Sequence, residues 1–241
     1  MFCMTLSDND RSIREKIGYI AASFGIAKVG YAPIDGIPLH GSVAMEGSDL
    51  SHAVSMVWEV PAHAVIERSK VDRFYDSMVE GREIMDQAAT AVADLLRTNG
   101  YRALPVTRNY AMDQATIQGQ ISHKAVAHRA GLGWIGRSML LVTPEFGPRV
   151  RLISVLTDAE LDEGASPMEN RCGTCRACVD GCPLKAIRYS EFEDRPEERS
   201  SVFDFISCDR QEKAWLERSP PKFCARCVSS CPWSKPSSQR A

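Results

Sequence analysis

The chain has 241 residues, enough for one sizeable domain and a small one. A hydrophobic share of 44% and a charged share of 25% are those of an ordinary globular protein, and a net charge of −2 gives no support to a broad nucleic-acid-binding surface. No apolar run approaches the roughly 18 residues that span a bilayer, and the start, with Asp8 and Asp10 soon after Met1, lacks the charged and apolar regions of a signal peptide.

The front of the chain reads as mixed α/β. Ile13, Ile17, Ile20 and Ala21 recur at helical spacing over about 10–24, with Ser7 or Asp8 as cap and Gly25 as terminator. A strand is expected over 26–31 and a second over 53–60, closed by Pro61. Tyr75, Met78, Ile84, Met85, Ala88, Val92 and Leu95 mark the buried side of a long helix over about 71–97, stopped by Asn99-Gly100. A strand over 101–106 comes next, then a helix over 123–130 that ends at Gly131. Strands over 140–142 and 150–156 flank a turn at Phe146-Gly147-Pro148. From Thr157 the composition turns polar, so the expected domains are 1–165 and 166–241. In the second, the charged stretch 191–201 reads as a solvated excursion.

Two cysteine runs carry the clearest chemistry. Cys172-x2-Cys175-x2-Cys178-x3-Cys182-Pro183 has the ligand spacing of the bacterial ferredoxin motif, and Cys208-x15-Cys224-x2-Cys227-x3-Cys231-Pro232 repeats its ending. Short intervals let three thiolates converge on one iron–sulfur cube, while the fourth, before proline, reaches the partner cluster. The expected ligands are Cys172, Cys175, Cys178 and Cys231 for one [4Fe–4S] cluster, and Cys182, Cys208, Cys224 and Cys227 for the other. Zinc sites use separated pairs of cysteines without a third at the same interval. A disulfide framework belongs to small secreted domains. Both fit less well than a protein that moves electrons. Cys3 is left as a free thiol, and a reducing cytoplasm is the expected compartment.

Before the cysteines lies a glycine-rich stretch, Gly131-Leu132-Gly133-Trp134-Ile135-Gly136-Arg137. It matches G-x-G-x-x-G in letters, yet it closes a helix instead of following a strand, which excludes a dinucleotide fingerprint. A two-cluster ferredoxin needs only about sixty residues. The long segment ahead of the clusters therefore has room for a second cofactor or a substrate. Its candidate contacts are Lys124, Arg129, Gly131, Gly133, Trp134, Gly136 and Arg137, with Arg108 as a further cation. His123 and His128, five apart on a helix, do not share a face for a joint metal site. Tyr75, Tyr110 and Asp113 are the candidate proton donors.

The blocks AGLGWIGRSMLLVTPEFG, RCGTCRACVDGCPLKAI and CARCVSSCPW, in that order, resemble epoxyqueuosine reductase, as does the opening IREKIGYIAASFGIAKVGYAPI. The resemblance implies a nitroreductase-like α/β (α+β) domain that binds a corrinoid, followed by a ferredoxin-like domain with two [4Fe–4S] clusters. The more distantly similar reductive dehalogenases share that plan. It further implies electrons arriving from a donor such as ferredoxin or flavodoxin and passing to cobalamin, with a small-molecule or protein acceptor beyond; FMN in the front domain is the alternative. Two features depart from the family. Its helical repeats for tRNA have no counterpart here, where the sequence stops ten residues after Cys231, so tRNA is not an expected partner. The family's upstream aspartate falls on Thr116-Ile117-Gln118-Gly119, and Asp113 is the nearest carboxylate.

Overall fold

The computed structural model describes residues 8–66, 71–107, 113, 117–161, 164, 166–190, 198–218, 224–236 and 238. Its elements in chain order are α1 (Asp8–Ser23), β1 (Lys28–Pro33), α2 (Gly41–Glu46), β2 (His52–Glu59), α3 (Ala62–Ile66), α4 (Val71–Thr98), β3 (Ala103–Pro105), α5 (His123–Arg129), β4 (Trp134–Ile135), β5 (Leu141–Val142), β6 (Val150–Thr157), α6 (Ala177–Gly181), α7 (Arg199–Val202), α8 (Phe205–Leu216) and α9 (Arg226–Ser229). They form a mixed α/β protein in two compact units. One gathers the residues up to Trp58, Arg82–Leu132 and Leu152–Pro167; the other takes Glu59–Gly81, Gly133–Arg151 and the chain from Met168 onward. The last change of unit falls between Pro167 and Met168, and two earlier stretches group with the cysteine-bearing segment.

The first unit is built on a four-stranded sheet of order β1-β2-β6-β3. β1 pairs antiparallel with β2, from Lys28 opposite Val57 to Pro33 opposite His52, and β3 pairs antiparallel with β6. Six consecutive residues of β2, Ala53 to Trp58, are buried, as a central strand covered on both faces requires. Ile13, Ile17 and Ala21 bury one face of α1. On α4 the buried stripe runs through Met85, Ala88, Ala89, Val92, Ala93 and Leu96. The sequence pattern placed Ile84 and Leu95 on it; the alanines, which carry little signal by size, rotate the stripe so that those two sit at its half-buried margin. Ile34, Ile37, Val43, Leu50, Val106, Ile121, Val126 and Leu156 form a further core cluster. Gln120 caps α2 from a distance, its Oε1 accepting from the Val43 N–H at 2.9 Å and the Ser42 hydroxyl at 3.0 Å.

The second unit has a different construction. Its β4–β5 hairpin sets Trp134 opposite Val142, and Trp134 is fully buried with its ring edge-on to Trp233 at 4.9 Å. A side chain at Gly133 would collide with the Val142 carbonyl, so that glycine is a packing requirement of the hairpin. Arg149, 3% exposed, donates to the carbonyls of Ser234 at 2.7 Å and Val60 at 2.6 Å, and pairs with Glu59 at 2.9 Å. Helices α6, α7 and α9 are only four or five residues long. The stretch 191–201 runs into α7 (Arg199–Val202), and 191–197 lie outside the described residues. Among the described residues, no helix is long and apolar enough to cross a membrane.

Candidate iron–sulfur centre

All eight cysteines of the two runs lie in the second unit, and none is disulfide-bonded. Cys178 sits on α6 and Cys231 starts the short 3-10 helix Pro232–Ser234. With Cys172 and Cys175 they line a cavity of about 70 Å³ that Gly136, Arg137, Val142 and Trp233 complete. Cys182 follows α6, Cys208 lies on α8, Cys224 precedes α9 and Cys227 lies on it.

Burial, and after it the charge of neighbouring groups, raises four of these thiols. Burial first, then Cys172 and Cys175, pushes the Cys178 thiol up to about 11. Burial and then Cys172, Cys178 and Cys175 push Cys231 up to about 12. In the other group, burial, the Glu212 carboxylate, Cys224 and Cys182 raise Cys208 to about 11. Burial followed by Cys208, Cys224, Cys178 and Cys182 raises Cys227 to about 12. Two neighbouring groups result in which a charge on one thiolate disfavours ionisation of the next, and Cys178 affects Cys227 across them. Backbone N–H groups partly offset the repulsion: those of Val179, Arg226 and Trp233 favour the thiolates of Cys178, Cys224 and Cys231. The N–H of Ala186 donates to Cys182 Sγ at 3.3 Å.

Such a donor set fits an anionic thiolate-ligated cluster. Among the described residues, no three His, Cys, Asp or Glu side chains converge closely enough to hold one metal ion, as a zinc site requires. The thiolates of a cube bind different irons and stand further apart. A side chain at Gly136 would press on Val142 and come within 3.4 Å of Cys172 Sγ, so the glycine keeps this cavity open.

Cys208 had no local motif to mark it. Its helix is announced by Asp204, whose carboxylate accepts from the Ser207 N–H at 3.0 Å, and the Asp209–Lys213 pair reinforces it. One turn beyond Cys208, Glu212 accepts from the Cys224 N–H and so ties the two distant cysteines together. Burial raises its carboxyl above the ordinary range. The i, i+4 spacing of Cys208 and Glu212 on a capped helix was the available clue.

The residues expected to contact a second cofactor divide between the units. Gly133, Trp134, Gly136 and Arg137 belong to the second, where the glycines pack and Trp134 is core. Lys124, Arg129 and Gly131 belong to the first. Gly131 takes a positive φ of 69° just past α5, and Arg129 donates to the carbonyls of Pro33 and Asp35. Lys124 is half-buried on α5, and Tyr75 half-buried on α4. Asp113 is exposed and exchanges backbone hydrogen bonds with Gln118 in an isolated bridge. Tyr110 and Arg108 lie outside the described residues.

Residues 171–234 match the model of the 4Fe-4S double cluster binding domain, which defines the class as an iron–sulfur protein with two cluster sites. A tetrachloroethene reductive dehalogenase of Dehalobacter restrictus is 30% identical over 190 residues, covering 71% of this chain and 30% of its own length. An epoxyqueuosine reductase of Atelocyanobacterium thalassa is 36% identical over 126 residues, covering 48% of this chain and 39% of its own. Among solved structures, a catabolic reductive dehalogenase superposes with a TM-score of 0.74 at 21% identity, over 98% of this chain and 34% of that one. An epoxyqueuosine reductase gives 0.60 at 18%, over 96% and 69%. The chain is thus a relative of the reductive dehalogenases and epoxyqueuosine reductases, and it spans about a third of the length of the dehalogenases it matches.

Proposed function

We propose that the chain is an iron–sulfur oxidoreductase that carries electrons through two [4Fe–4S] clusters to a corrinoid for reductive chemistry. The cavity shared by Cys172, Cys175, Cys178 and Cys231, with Cys182, Cys208, Cys224 and Cys227 placed around α6, α8 and α9, carries this reading. Cys172, Cys175, Cys178 and Cys231 hold one cluster; Cys182, Cys208, Cys224 and Cys227 hold the other. Each cluster, when bound, supplies one-electron storage. The backbone N–H groups at Val179, Ala186, Arg226 and Trp233 stabilise the thiolate charge, and Glu212 fixes the loop before Cys224 against α8. Adjacent sets shorten the electron's path between them. A low-potential protein such as ferredoxin or flavodoxin serves as donor.

The corrinoid rests on relatives: one solved dehalogenase, 22% identical, is described as acting by B12-dependent dehalogenation. No residue is assigned to hold it, because Arg129 spends its guanidinium on backbone carbonyls and Trp134 is core. The same observation favours a second reading, an electron-transfer protein that reduces a partner carrying the reactive cofactor. Anaerobic reconstitution with iron and sulfide, followed by cobalamin titration watched by absorbance and EPR, separates them. About eight irons per chain with a shift to base-off cobalt supports the corrinoid reductase. Eight irons with unaltered cobalamin supports the electron carrier, and iron content near zero rejects both.

A further inference from the structure

Arg137 is buried, at 5% exposure, in a place where a charge is expensive. Its Nε donates to the Cys175 carbonyl at 3.2 Å, one Nη to the Gly173 carbonyl at 2.6 Å and the other to the Ser190 carbonyl. The Tyr189 ring lies between two guanidiniums, with Arg137 Cζ 4.2 Å and Arg176 Cζ 4.5 Å from its centroid. Three carbonyls and an aromatic face satisfy donors and geometry but supply no full negative charge. Among the described residues no carboxylate forms an ion pair with Arg137. Burying a cation is costly unless an anion lies nearby. Arg137 lines the cavity of Cys172, Cys175, Cys178 and Cys231.

We infer that Arg137 is the built-in counter-charge of the cluster held by those four cysteines, and a positioning residue that raises that cluster's reduction potential. The inference rests on the proposed cluster ligation. Four thiolates and a cube make a net anion whose charge grows by one on reduction. A guanidinium's positive charge favours the more negative, reduced form through a low-dielectric medium. The second set is built with the opposite sign nearby: Glu212 lies beside Cys208 and Cys224, with Arg199 near Cys208 as partial balance.

The test is an EPR-monitored redox titration of the reconstituted chain and of Arg137→Gln and Arg137→Lys, with iron counted in each. The expected result is a lower midpoint for one of the two clusters in Arg137→Gln at full iron content, with the other unmoved. Arg137→Lys should return that midpoint towards the wild-type value, because it keeps charge and loses only the planar clamp. Unchanged midpoints in an iron-replete Arg137→Gln overturn the inference, as do equal shifts of both clusters. Where Arg137→Gln loses half its iron, Arg137→Lys decides. An iron-replete lysine variant at the wild-type midpoint supports the charge role, and one at a lowered midpoint overturns it. Wild-type chain that takes up no iron rejects the cluster reading itself before any variant is compared.

Discussion

The two units reach order by different physics. The first has a sheet with a fully buried central strand, helices whose stripes of Ile, Val, Leu and Ala face inward, and a side chain, Gln120, capping α2. Its stability is of the ordinary kind, apolar area removed from water. The second has α6, α7 and α9, of four or five residues each, beside the longer α8, a core around Trp134, Leu141 and Val142, and two buried arginines that reach backbone carbonyls far away in sequence. Short helices do not hold themselves in water. There the arginine clamps add to a smaller core, and under the proposed ligation the cysteines would tie folding to cluster binding as well.

Removing a ligand is the strongest way to break that contrast. Cys175→Ala should lose about half of the iron and, with it, the amide-exchange protection of α6, α9 and the loops around them. Protection of α1 and of the sheet should persist. Equal loss in both units, read by hydrogen exchange with mass spectrometry, would show one cooperative body instead of two kinds of order.

A core truncation probes the other side. Leu96 is fully buried on α4, and Leu96→Ala should cost the first unit about 2–5 kcal/mol in denaturant unfolding. Its iron content should equal that of the wild type. Iron lost in step with stability would contradict the division.

The smallest effect is a pH drift confined to the iron-free protein. Burial and mutual repulsion raise Cys178, Cys208, Cys227 and Cys231 to between about 11 and 12, against an ordinary thiol near 9. The folded state therefore holds these protons more tightly than the unfolded one. Their contribution is complete below pH 9 and declines as pH rises towards 11–12. Iron-free chain should show a falling denaturation midpoint across that window, measured by circular dichroism. Iron-loaded chain, whose thiolates are already deprotonated, should show less of it.

How much of this the sequence disclosed follows the same division. The strand expected over 53–60 is β2 at His52–Glu59, and the helix over 71–97 is α4, because local periodicity records which face is buried. The stripe on α4 was misphased by one position because Ala89 and Ala93 are buried for their smallness, which a pattern of large residues does not register. Spacing alone pointed to the two cysteine sets. The partners of Arg137 could not be read, since Gly173, Cys175 and Ser190 are backbone acceptors and any residue type supplies a carbonyl. Glu212 was hidden for a related reason: it meets Cys224 only because α8 places it one turn past Cys208.

The raised thiols also bear on the time before iron arrives. The set that begins at Cys172 is completed by Cys231, so a nascent chain must carry its first three thiols for most of the synthesis of this region before the fourth is available. Thiolates, not thiols, react with oxidants and stray disulfides. Once folded, the buried thiols of Cys178 and Cys231, pushed up to about 11 and about 12, hold their protons and are chemically quiet. The burial of these two thiols thus protects them from oxidants during the wait for metal.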